Sequence, residues 1–112
     1  MSDMTLITGQ LPALDPDGHL ADHQQWSVEV AQQMAAQDQL ILGEDQLRVL
    51  LAVREFYARF SHVPATRPLI RYVMQQLGPE YNNARLMADF QTGLVARTLA
   101  RLAGLPKPPN CL

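Results

Sequence analysis

The run Ala103-Gly104-Leu105-Pro106-Lys107-Pro108-Pro109-Asn110-Cys111-Leu112 decides how the chain is organised. Gly104 follows an apolar-periodic stretch and suits the left-handed position that closes a helix, with Pro106 just beyond to forbid continuation. Pro106, Pro108 and Pro109 have fixed φ and lack backbone donors, so the segment favours extended conformations. At ~3.1 Å per residue, Leu105 to Cys111 can span roughly 20 Å. The sequence therefore predicts a body over residues 1–104 and a mobile C-terminal arm over 105–112. Cys111, the only cysteine, rides on that arm. One reading makes it an accident on a frayed terminus. The other makes it a thiol that leaves its own domain and enters a partner's pocket.

Working back from the arm, a last helix is expected from about Leu94 to Ala103. Val95, Leu99 and Leu102 face inward, while Arg97 and Arg101 lie one turn apart on the exposed side, where like charges repel. Asn82-Asn83 caps a short helix through Leu86 to about Phe90. Thr66 or its predecessors open another, with Pro68 in the first turn, an apolar face of Leu69, Ile70, Val73, Met74 and Leu77, and Gly78-Pro79 as its stop. Gly43-Glu44-Asp45 opens the strongest helix, read as the central one. It ends near Phe60 and buries a stripe of Leu47, Leu50, Leu51, Arg54, Tyr57 and Phe60, widened by Val53 and Phe56. Ser27 caps a helix to about Gln37, with Trp26 stapling its start to the core.

Before these helices, Thr5-Leu6-Ile7-Thr8 and Leu11-Pro12-Ala13-Leu14 flank Gly9-Gln10 and read as a short β-hairpin. Asp15-Pro16-Asp17-Gly18 reads as a further turn. His19 and His23 are read as surface histidines. Two local nitrogens and a cysteine almost ninety residues away make a poor metal site, so no metal and no cofactor are expected.

At 112 residues, 47% apolar and 18% charged, the chain has the composition of one ordinary globular domain. No run approaches the ~18 apolar residues of a membrane span. The acidic start Met1-Ser2-Asp3-Met4-Thr5 lacks a signal's basic and apolar regions, and one unpaired cysteine suits a reducing compartment, so a cytoplasmic protein is expected. Net charge is −2 but unevenly spread. All nine basic residues fall after position 47, and the first 47 residues are purely acidic. Either the two parts attract within the fold, or a basic surface around the thiol docks an acidic partner or holds a thiolate or persulfide.

The arm, from Ala103 to Pro108 with Cys111 following, resembles that of the DsrC/TusE family of sulfur-trafficking proteins. Three further pieces fit in the same order: Gln25-Trp26-Ser27, Arg54-Glu55-Phe56-Tyr57 and Pro64-Ala65-Thr66-Arg67-Pro68-Leu69. The two-cysteine members of that family carry a second cysteine where this chain has Arg101, so the resemblance is to the single-cysteine TusE side and an intramolecular disulfide is not available. Gln91-Thr92-Gly93-Leu94-Val95 also departs from the family's proline and glycine there.

The resemblance implies a mainly α (α+β) fold, an orthogonal bundle of about five helices. It implies a sulfur carrier that accepts a persulfide on Cys111 from an upstream complex of the TusBCD or DsrEFH kind. The acceptor would be a tRNA thiouridylase or, on a dissimilatory route or in regulation, a sulfite reductase. Lys107, Arg67, Arg71 and Arg101 are the candidate arm and partner contacts, and no membrane partner is expected. A rival reading takes residues 44–78 as a helix-turn-helix, with Arg67 and Arg71 starting a recognition helix. Negative net charge and sparse lysine and arginine weigh against direct nucleic-acid binding.

Overall fold

In the computed structural model, which describes residues 11–108, five α-helices follow a short lead-in. Three of them begin at a local capping contact. Ser27 accepts from the Val30 amide at 3.1 Å and starts α1, Val28–Gln37. The Gly43 amide donates to Gln46 Oε1 at 2.6 Å at the head of α2, Glu44–Phe60, where Glu44 and Asp45 face the positive end of the helix. Helix α3, Thr66–Leu77, starts after Ala65 and stops at Gly78, whose φ is +128°. Asn82 accepts from the Arg85 amide at 2.9 Å and opens α4, Asn83–Asp89. Helix α5 covers Val95–Leu102.

A helix of only eight residues is the hub. α5 touches each of the other four, whereas α2, expected to be central, packs chiefly on α3 and α5. The cause is side-chain size: Ala96, Ala100 and Ala103 are fully buried, letting neighbouring backbones approach, while Val95, Leu99 and Leu102 fill the space between them. Burying each of these larger side chains contributes about 1.5–3 kcal/mol.

Of the stripe expected on α2, Leu50 and Val53 are buried and Leu47 and Tyr57 pack against the core, but two members point outward. Val49, Leu50, Ala52 and Val53 are buried, while Leu51 is 51% and Phe60 50% exposed. The end of α2 runs past the core and forms an aromatic cluster instead. There Phe56 lies 4.7 Å from the Phe60 ring, 5.5 Å from His62 and 5.1 Å from Tyr72.

Among the described residues no β-hairpin is found. Its first arm and Gly9-Gln10 lie outside the described residues, and Leu11–Leu14 forms no strand. Leu14 instead makes a single antiparallel bridge to Leu20 around the Asp15–Gly18 turn. Pro12 has no amide to donate to a ladder. Asp15 Oδ1 tightens the turn by accepting from the amides of Asp17 at 2.9 Å and His19 at 3.0 Å. No helix among the described residues is long and apolar enough to cross a membrane.

Candidate functional site

The end of α5 is where the body hands over to the segment that bears Cys111, which itself lies outside the described residues. A helix leaves its last four carbonyls without intrahelical donors. Here all four are taken. The Leu105 amide donates to Ala100 O at 2.8 Å and the Gly104 amide to Arg101 O at 3.1 Å, a Schellman closure that requires the left-handed Gly104, φ +77°. Trp26 Nε1 donates to Leu102 O at 2.8 Å, and Arg54 Nη1 to Ala103 O at 2.8 Å. The two donors support each other, because the Arg54 guanidinium lies 4.6 Å from the centre of the Trp26 ring. Burial pushes the Arg54 pKa down, and the carbonyl and ring face compensate the desolvated cation. Gly104 also has no room for a side chain: a Cβ there would sit 2.5 Å from Trp26 Cδ1.

One residue on, the Leu105 carbonyl meets His19 Nδ1 at 2.8 Å, so that nitrogen carries the proton and donates. His19 is fully buried, and its Nε2 has no hydrogen-bond partner among the described residues. The expectation of a surface histidine is therefore wrong for His19. His23 is partly buried, edge-on to Tyr57 at 5.0 Å. Leu105 and Pro108 are both buried and Lys107 Nζ lies 4.0 Å from Asp17 Oδ1, so packing continues past the expected boundary at residue 104.

The four candidate cations fall into two sets. Lys107 and Arg101 stand at the arm root, where Arg101 pairs with Asp38 across the α1–α5 seam. With Arg85 and Asp45 at 3.0 Å, these pairs join the basic part of the chain to the acidic part, as internal attraction requires. Asp89 raises the Arg85 pKa through a side-chain hydrogen bond, ahead of smaller charge effects.

Arg67 and Arg71 lie elsewhere. They flank an open groove of about 680 Å³ on α3 whose lining includes Ile70, Met74, Pro79 and Asn83. Neither arginine has a carboxylate partner among the described residues, and none of the lining residues is acidic. None of the described arm residues lines the groove.

Sequence reasoning missed His19 and Arg54 as holders of the arm root. Trp26 carried a signal, since a half-buried indole N–H needs an acceptor. His19 carried none, because its partner is 86 residues away.

Comparison with known proteins agrees with this architecture. The model of the DsrC like protein family matches residues 6–112. The chain belongs to the DsrC-like family. Sulfurtransferase TusE of Pectobacterium atrosepticum is 35% identical over 109 residues, covering 97% of this chain and 100% of that protein. Sulfurtransferase TusE of Photorhabdus laumondii is 32% identical, covering 97% and 98%. Among solved structures, the NMR structure of Allochromatium vinosum DsrC superposes with a TM-score of 0.81 at 36% identity, covering 93% of each chain. The oxidized gamma-subunit of the dissimilatory sulfite reductase (DsrC) from Archaeoglobus fulgidus gives 0.75 at 28% identity, over 93% of this chain and 95% of that one. The mainly helical, five-helix architecture is thus the DsrC-like fold.

Proposed function

We propose that this DsrC-like protein relays sulfur as a persulfide on Cys111, in the synthesis of 2-thiouridine in tRNA. The observation that carries the reading is full-length similarity to proteins named sulfurtransferases, in a chain whose one cysteine falls inside the matched range. The Cys111 thiolate attacks the outer sulfur of a donor persulfide. The donor S–S bond breaks, its thiolate leaves, and a new S–S bond forms on Cys111. At the acceptor the same exchange runs onward: an acceptor thiolate takes the outer sulfur and Cys111 is released as thiolate. The number of S–S bonds is conserved at each step, so no oxidant is consumed. With Arg101 where a second cysteine would stand, no internal thiol competes for the persulfide.

The anchored root gives this chemistry a geometry. From Pro108 to Cys111 are three residue steps, about 10 Å of extended chain. While the root holds, Cys111 can lie no further than that from Pro108, and the partner's pocket must come close to the α5 end. Lys107 and Arg101 stand there already facing Asp17 and Asp38, so of the four candidates the free cations a docking partner can use are Arg67 and Arg71, away from the root. The upstream donor is a TusBCD-like complex and the acceptor a tRNA thiouridylase, in keeping with the TusE relatives.

The likeness to A. fulgidus DsrC, named a subunit of dissimilatory sulfite reductase, favours a second reading, a single-cysteine carrier in dissimilatory sulfur metabolism. Incubation with a persulfide-forming sulfurtransferase tests the carrier step: intact mass should rise by about 32 Da, the mass of one sulfur atom, and Cys111→Ser should show no gain. If the Ser variant gains the same mass, Cys111 is not the carrier. Delivery of that sulfur to a tRNA-thiolating enzyme rather than to a sulfite reductase separates the two readings.

A further inference from the structure

We infer that the α3 groove is the seat of an acidic, amphipathic helical segment on a relay partner. The identity of the partner rests on the sulfur-relay reading, but the groove and its chemistry do not. Arg67 and Arg71 are one turn apart on α3, about 6 Å along its axis, and both are exposed. Ile70 and Met74 repeat the same spacing on the adjacent ridge, so a cationic row runs beside an apolar row along two helical turns. Pro79 and Asn83, which follow α3 in the chain, also line the groove. The complement of this surface is a helix with two carboxylates one turn apart and apolar side chains on the neighbouring ridge.

Charge decides the occupant's sign. Arg85, Arg48 and Arg101 are matched to Asp45, Asp89 or Asp38, whereas Arg67 and Arg71 have no carboxylate partner among the described residues. Side-chain type decides its class. A phosphate backbone asks for cations and polar donors, whereas Met74 and Pro79, with the 9% of Ile70 left uncovered, offer apolar surface, which favours a protein segment over RNA. The open shape, with Arg67, Arg71, Pro79 and Asn83 all exposed, suits a helix lying in a trough rather than an enclosed small molecule.

The test uses the full chain and a stapled helical peptide of about 15 residues, with two Glu one turn apart and two Leu on the adjacent ridge. Amide shifts should move along Arg67–Met74 and at Asn83. Binding should weaken about tenfold when the two Glu become Gln, and by a similar factor in R67E/R71E. A peptide with Lys for Glu should bind R67E/R71E better than it binds wild type.

Four results overturn the inference: no perturbation of the groove; equal binding of the Glu and Gln peptides; groove shifts that change when residues 109–112 or 1–10 are deleted, which makes the occupant this chain's own segment; or tRNA moving the groove amides while the peptide does not. Loading of Cys111 from inorganic polysulfide is measured alongside. Failure there counts against the relay reading and leaves the groove result standing.

Discussion

At the end of α5 four successive backbone carbonyls, Ala100 to Ala103, each have a donor, and Leu105 adds a fifth. Along α3 two guanidinium groups have no carboxylate among the described residues. The first region spends its polar groups on itself and is buried; the second leaves them for something outside. A buried network whose carbonyls all have donors rigidifies what it touches, even with His19 Nε2 left without a partner, whereas exposed, unpaired cations cost little and remain available. The difference teaches where a substitution should act. At the arm root it should change stability, and along the groove it should change association.

The largest effect is expected at Gly104. Gly104→Val places a β-branched residue at φ +77° and drives its Cβ to within 2.5 Å of Trp26. Left-handed strain and overpacking together should cost about 3 kcal/mol, read as a lower urea midpoint. A loss under 1 kcal/mol would mean that the close approach is not a constraint. Next, Arg54→Met keeps much of the stem's packing but leaves Ala103 O without its donor. A loss of about 1–2 kcal/mol is expected, with faster hydrogen exchange at Leu105 and Lys107. Unchanged exchange there would break the link between Arg54 and the arm.

His19 is the third point of comparison. His19→Phe fills the cavity without a donor and should cost about 1 kcal/mol, whereas His19→Asn, whose amide nitrogen can stand where Nδ1 stood, should restore the protection of Leu105 even if its smaller volume costs stability. If Phe protects as well as His, the Leu105 contact does not hold the arm. The smallest effect is expected in the groove: Arg67→Gln should shift unfolding by less than about 0.5 kcal/mol, because an exposed unpaired cation contributes little to the folded state. A larger loss would place Arg67 in the structural network.

How much of this the sequence revealed follows the range of each interaction. Ser27, Gly43-Glu44-Asp45, Asn82 and Gly104 act within a turn of themselves, and their positions read correctly. Leu51 and Phe60 did not, because periodicity along α2 is compatible with neighbouring faces and only the placement of α3 and α5 adds Val49 and Ala52 to the expected Leu50 and Val53. The central place of α5 was missed for the same reason: three small alanines are a weak hydrophobic signal but permit close packing. Arg101 reads from sequence as an exposed like charge one turn from Arg97, and the fold gives it Asp38 as a partner. His19 and Arg54 show the limit most plainly. Their acceptors are backbone carbonyls 86 and 49 residues away, which carry no side-chain identity to read.

The central claim is that Cys111 carries the sulfur that moves, and a single-turnover chase tests it most directly. The protein is loaded with isotopically labelled sulfur, freed of its donor, and mixed with the tRNA-thiolating acceptor and unmodified tRNA. The account predicts that the label leaves Cys111 as it appears in 2-thiouridine, and that Cys111→Ser protein delivers none. Label that stays on Cys111 while tRNA is thiolated, or equal delivery by the Ser variant, would contradict it.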